Sequence, residues 1–233
     1  MDTKFWGPDG WKLLHSICER FPIKPKNKDK EIYSGFFNTI SFVLPCVYCR
    51  NSFDEYIKEL PVENYTGSRK DLSNWLYLIH NKVNEKLRKQ NLNKKPNPRL
   101  STIERRYKIY VKDVNSNKKI APGFNFLYSI AFNYIYTRNN MSKIRVKKYK
   151  SFFTLLGLIM PFKKLKEIYI SHINMNPIII TKKCNHSLKL WLYQLELSYK
   201  SSLDNSCLCF EKTCLNIEKY KVGCKNNTCR KTN

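Results

Sequence analysis

Glycine is scarce, with 7 residues in a chain of 233, and no alternating run of Val, Ile and Thr is bounded by the Asn-Gly or Asp-Gly turns that announce β-hairpins. A mainly helical protein is expected. Long apolar runs are also missing. The longest, 152–162, contains Pro161 and is shorter than the roughly 20 residues that cross a bilayer. The opening MDTKFWGPDGW lacks the apolar stretch of a secretion signal, so the expected chain starts at Met1, is not exported by a signal peptide and has no transmembrane segment. Acidic residues are few: 18 Asp and Glu stand against 43 Lys and Arg, a formal net charge of +25. Residues 1–110 carry 21 basic and 12 acidic side chains, leaving 22 and 6 for the remainder. Such a field favours an anionic partner, nucleic acid or an acidic protein, although charge bears on association rather than fold. No groove-reading motif accompanies it.

What is present supports a packed interior. Hydrophobic residues make up 42% of the chain and aromatics 14%, including 15 Tyr and 13 Phe, a globular composition. Asp9 is positioned to cap a helix with Trp11, Leu14, His15 and Cys18 at helical spacing, ended by Pro22 and Pro25. Residues 29–44 repeat apolar side chains at threes and fours up to Pro45. Pro45 suits the first turn of a third helix that ends before Pro61. Ser68 or Asp71 can open a fourth, with Leu72, Trp75, Leu76, Ile79, Val83 and Leu87 on one stripe. A short fifth is expected over 101–110. The polar segment 114–123 reads as a linker. Beyond it, helices are expected near 124–138, 147–160, 161–173 and 184–200, followed by a Cys-rich tail from Cys207 to Cys229. The expected division is a helical domain over 1–112 and a basic, mainly helical domain over 113–233.

Nine cysteines without a secretion signal point to metal binding or redox chemistry before a passive disulfide framework. Cys46 and Cys49 form a CxxC at the start of the third helix, where the helix dipole and unpaired N–H groups favour a thiolate. The competing reading is half of a zinc site, but no second CxxC or HxxxH lies nearby.

Three segments in order, WGPDGWKLLHS, LPCVYCRNSFDEYIKEL and WLYLIHNKVNEKL, resemble the Erv/ALR flavin-linked sulfhydryl oxidases. The resemblance covers residues 4–110. It implies an all-α fold, four helices in a bundle plus a short fifth, holding FAD beside the CxxC. By carry-over, Gly7, Trp11 and His15 contact FAD from the first helix, and His80, Asn81, Val83, Asn84, Lys86 and Lys89 from the fourth. Arg106 and Tyr107 fall where the family has an Arg-Trp pair near the adenine. Such groups suit the task, since indole and imidazole faces stack on flat rings and Lys meets pyrophosphate. The resemblance further implies that Cys46 exchanges with incoming protein dithiols, that Cys49 is the sulfur next to the flavin, that O2 is the acceptor yielding H2O2, and that two chains form a homodimer. No metal is implied.

Three positions depart from the family. Tyr77 and Leu100 stand where cellular members have a cysteine pair forming a structural disulfide, and Arg88 stands where Gly is usual. In the tail, Cys207 and Cys209 are candidate shuttle cysteines, set against structural disulfides among Cys207, Cys209, Cys214, Cys224 and Cys229, or a zinc knuckle with His186. An added domain of this size resembles giant-virus members, which implies action in the host cytoplasm, in a viral factory or in the virion. A zinc-binding, basic packaging protein accounts for the charge but not for Trp11, His15, the CxxC and HNxVN together; a thioredoxin-like fold needs strands that the sequence does not offer.

Overall fold

Every regular element among the described residues is helical. The computed structural model describes residues 1–117, 119–134, 143–180 and 186–221. The first helix, α1 (Thr3–Arg20), opens at Asp2, whose carboxylate accepts the Lys4 N–H at 2.8 Å. Asp9 is therefore not its cap. Asp9 lies inside α1 and its carboxylate accepts the Asn125 N–H at 3.0 Å, closing the start of a helix more than a hundred residues away. Burial raises the Asp9 carboxyl above its ordinary range, opposed by backbone N–H groups of Gly123, Asn125 and Phe126.

The single helix expected over 29–44 is two, α2 (Asn27–Phe37) and the short α3 (Ile40–Val43). Asn38 and Thr39 divide them. The Thr39 hydroxyl turns back to donate to the Phe36 carbonyl at 2.6 Å, and the Asn38 amide donates to Glu63 at 2.6 Å, so side chains take over from the helical ladder. Pro45 precedes the next helix rather than lying in its first turn: α4 (Val47–Glu59) has Cys46 as its N-cap. A 3-10 turn (Val62–Tyr65) leads to α5 (Arg69–Lys89), capped by Ser68, whose hydroxyl accepts the Asp71 N–H. Trp75 is fully buried and donates its indole N–H to the Leu60 carbonyl at 2.8 Å, which joins α5 to the end of α4. The next helix, α6 (Leu100–Ser116), continues past the expected end at residue 110. Tyr77 donates to the Pro98 carbonyl at 3.0 Å, so α5 and the approach to α6 are tied by a hydrogen bond.

The chain then continues through α7 (Phe124–Phe132), α8 (Lys143–Ile159), α9 (Lys163–Met175), α10 (His186–Ser201) and α11 (Phe210–Glu218). α7 is shorter than expected, and part of the Cys-rich tail is helical as α11. α7 lies on α1, while α8 lies on α2 and α3. Phe152 of α8 sits between Phe36 and Phe126, with ring centroids 5.2 and 6.3 Å away. Burying Phe36 and Phe152, both fully enclosed, contributes roughly 1.5–3 kcal/mol each. α10 packs on α7 and α9, and Trp191 donates to the Asn176 carbonyl at 2.8 Å. α11 brings Tyr220 back to α1, stacked on Phe5 at 4.1 Å. No helix among the described residues is long and apolar enough to cross a membrane.

The junction of α1 and α7 is close. Gly123 precedes α7 with φ +119°, and a Cβ there would lie 2.8 Å from a Leu13 methyl. Gly123→Ala is expected to lower unfolding free energy by about 1–3 kcal/mol. Gly7→Ala, with nothing within 4 Å of the added carbon, is expected to leave it within about 0.5 kcal/mol or raise it slightly; equilibrium denaturation of both variants checks the contrast.

Candidate active site

The two CxxC sulfurs belong to the N-cap and the first turn of α4. Cys46 is 6% exposed, and Cys49, half-buried, packs against the core. Ser52 and Tyr56 follow Cys49 at helical spacing on the side that faces α5. There Lys86 donates to the Ser52 hydroxyl at 2.6 Å. A cation is thereby fixed one turn from Cys49, although Ser52 carries no motif signal beyond its three-residue spacing from that cysteine.

A set of flat rings gathers where α1, α5 and α6 meet. The Trp11 indole stacks on the His80 imidazole at 3.8 Å with the planes 7° apart. His15 Nε2 lies 3.1 Å from His80 Nδ1, one neutral ring donating and the other accepting. The opposite neighbour of His15 is Tyr107, stacked at 4.8 Å and 13°. Four aromatic or imidazole rings from three helices thus adjoin one another. Helical periodicity makes this local arrangement: Trp11 and His15 are four residues apart on one face of α1. The His15 pKa is lowered to about 3 by burial, then by the charges of His80 and Arg106; burial lowers that of His80 to about 4. Both rings are uncharged at neutral pH.

The other residues expected to meet the cofactor lie on α1, α5 and α6. Asn84 uses its amide on the 90–99 loop, donating to Asn97 at 3.1 Å and accepting from Asn93 at 3.4 Å. Arg88, the residue standing for the usual Gly, donates to the Lys95 carbonyl and to Asn97 and so secures the same loop. Lys89 is exposed and pairs with Glu85 at 3.2 Å. Arg106 is exposed, close enough to His15 to influence its protonation. Gly7 lies in the first turns of α1 with open space beside it, and Asn81 and Val83 are half-buried on α5.

The candidate shuttle thiols lie by α7 and α10. Cys207 is half-buried and borders a cavity of about 360 Å³ lined also by Tyr128, Glu196, Lys200 and Tyr220. Burial raises its pKa, and Lys200 opposes that rise. Cys209 is exposed as the N-cap of α11, and Cys214 lies within that helix. Cys224 and Cys229 lie outside the described residues. Among the described residues no group of three or more His, Cys, Asp or Glu is arranged to hold a metal ion.

Against known proteins, the model of the Erv1 / Alr family matches residues 8–108. The mitochondrial FAD-linked sulfhydryl oxidase ERV1 of Saccharomyces cerevisiae is 38% identical over 88 residues, covering 38% of this chain and 46% of that protein. A mimivirus protein named "Probable FAD-linked sulfhydryl oxidase R368" is 36% identical over 85 residues, 36% of this chain and 59% of its own length. The FAD-linked sulfhydryl oxidase of African swine fever virus is 31% identical over 87 residues, 36% of this chain and 70% of that protein. The chain therefore spans about half the length of the first two relatives. The family-model match, residues 8–108, takes in both the CxxC and the ring cluster.

The neutral imidazole pair makes the fold sensitive to acid. Unfolded histidine titrates near 6.5, above both folded values. The unfolded chain thus binds more protons below that pH, and stability present above about 6.5 is lost as pH falls toward 4 and then 3. Unfolding free energy from denaturant titration is expected to drop between pH 7 and pH 5, by at most about 2 kcal/mol for each imidazole. In His80→Gln the slope is expected to be shallower; an unchanged slope contradicts the assignment.

Proposed function

The chain belongs to the Erv1/Alr family, and from that membership we propose that it is an FAD-dependent thiol oxidase that forms disulfides in protein substrates. The observation that carries the proposal is the ring cluster of Trp11, His80, His15 and Tyr107 built across three helices, with a redox-type CxxC on the adjoining helix α4.

The residues fit the cofactor. Parallel ring faces suit a flat heteroaromatic system, and neutral imidazoles can donate or accept hydrogen bonds without adding charge to it. Lys86, hydrogen-bonded to Ser52, offers a cation, and Arg106 a second near Tyr107 for a phosphate or adenine edge. The remaining cofactor contacts proposed are Gly7, Asn81, Val83, Asn84 and Lys89. When bound, FAD would supply a two-electron acceptor for the Cys46–Cys49 dithiol, with O2 as the terminal oxidant giving H2O2.

The chain's own chemistry is thiol–disulfide exchange. A substrate thiolate attacks Cys46 of the Cys46–Cys49 disulfide, and Cys49 leaves as thiolate. The second substrate thiolate attacks its partner sulfur in the mixed disulfide, releasing Cys46 and a substrate disulfide. The substrate loses two electrons and the CxxC pair gains them. The dipole at the start of α4 supports the thiolates. Net, two thiols and O2 give one disulfide and H2O2.

Residues 1–112 are proposed as the oxidase domain, with 113–233 as a basic domain packed on it. Cys207 and Cys209 are proposed to relay electrons from substrates to the CxxC, and the viral relatives support action in the host cytoplasm or virion on viral proteins. Two chains are proposed to pair as a homodimer.

The purified protein is expected to show flavin absorption near ~450 nm that bleaches with dithiothreitol and returns in air, with oxygen consumed. Cys49→Ser should retain the flavin and lose more than about 100-fold in oxygen consumption. A colourless protein that cannot be loaded with FAD, or undiminished turnover in the variant, contradicts the proposal.

A further inference from the structure

From Val114 to Lys166 the chain carries eleven Lys and Arg and no Asp or Glu. Five of these, Lys143, Arg145, Lys147, Lys148 and Lys150, lie in the first turns of α8. Nothing in helix stability favours them there, because cations at the beginning of a helix oppose its dipole and neighbours at three and four residues repel. Their position supplies another reason. α8 packs along α3, the four-residue helix that feeds Pro45 and Cys46. Lys148 Nζ stands 5.1 Å from the centre of the Phe42 ring on α3.

Arg50 connects this basic segment to the thiols. It follows Cys49 directly, and its guanidinium donates to the Leu44 carbonyl at 2.6 Å. Burial lowers its pKa, and Tyr149 and Arg145 of α8, together with Cys46 and Cys49, lie close enough to bear on its protonation. Beside the charges lie apolar spots: Val47, between the two cysteines, is 49% exposed, and Ile144 is 61% exposed. The carboxylates Asp54 and Glu59 farther along α4 are engaged by Lys58 and Lys82.

We propose that the first turns of α8, with Arg50, form a docking surface beside the Cys46–Cys49 pair for dithiol proteins that carry Asp or Glu next to their cysteines. The proposal rests on the oxidase reading above and adds the substrate class. Charge complementarity at the point of exchange speeds encounter and selects among dithiols. The same cations favour the thiolate form of an arriving cysteine, the species that attacks. A protein substrate fits better than nucleic acid because the patch adjoins the reacting sulfurs and includes the apolar Val47 and Ile144.

The test compares oxygen consumption by the flavin-loaded full chain with two dithiol peptides that differ only in flanking residues, Asp and Glu in one and Lys in the other. Dithiothreitol serves as the uncharged dithiol. At low ionic strength kcat/KM should favour the acidic peptide by about tenfold or more. The ratio should shrink toward unity near 1 M salt, where the screening length is about 3 Å. In the double variant Arg145→Glu, Lys148→Glu the preference should vanish or reverse. Each ratio is taken within one preparation, so partial loss of flavin or folding affects both peptides alike. Equal kcat/KM for the peptides at low salt while dithiothreitol is oxidised overturns the docking surface and leaves the oxidase reading standing. A preference undiminished in the double variant overturns it too, as does equal inhibition of both peptides by a single-stranded oligonucleotide without discrimination between them. Failure to oxidise dithiothreitol overturns the oxidase reading and the docking role with it.

Discussion

The stack of Trp11 on His80, extended through the His15–His80 hydrogen bond to Tyr107, depends on α1 being clamped from two sides. One side of α1 meets α5 and α6, which bring His80 and Tyr107. The other receives α7, with the Phe126 ring near Trp6 and 3.1 Å from where a Cβ on Gly10 would stand. A shift of α1 toward either neighbour would open a gap at the other, and packed interiors resist such gaps. The carboxylate of Asp9 adds a directional restraint, since it accepts at the start of α7 from within α1. Burial then keeps the two imidazoles neutral, so that one accepts from the other without adding charge to the buried site.

The basic half is consequently part of the framework that holds the ring cluster. α7 buttresses α1, α8 covers α2 and α3, and one continuous set of buried side chains runs from Trp6 and Phe36 to Phe152 and Trp191. Tyr77 reaches the Pro98 carbonyl, and Arg88 holds the loop between α5 and α6. Hydrogen bonds of this kind each contribute about 1 kcal/mol, less than a typical disulfide. The packing of α7 and α8 supplies further support.

Much of this was legible in the sequence, and the boundary of legibility follows contact range. The CxxC at a helix start, Ser68 as a cap and the stripe from Leu72 to Leu87 are local patterns, and the structure has them. The i,i+4 spacing of Trp11 and His15 likewise announces a shared face. Asp9 was misread because a capping residue looks the same whether it caps its own helix or a distant one. The break at Asn38–Thr39 is invisible to apolar periodicity, which continues through it, and is fixed by a tertiary hydrogen bond to Glu63. Resemblance aligns Asn84 and Lys89 with cofactor contacts, while the bonds of Asn84 to Asn97 and Asn93 and the pairing of Lys89 with Glu85 show only in three dimensions. Only the three-dimensional arrangement reveals Lys86 on Ser52, because the partners are 34 residues apart.

The central claim is that the rings of Trp11 and His80 receive the flavin. Titrating flavin-depleted protein with FAD, followed by the change in flavin fluorescence, tests it directly in the full chain and in Trp11→Ala and His80→Ala variants whose helical content is checked by circular dichroism. Loss of a stacking face should weaken FAD binding by about tenfold in each variant. Unchanged affinity in both, with helical content intact, would contradict the claim and place the cofactor elsewhere.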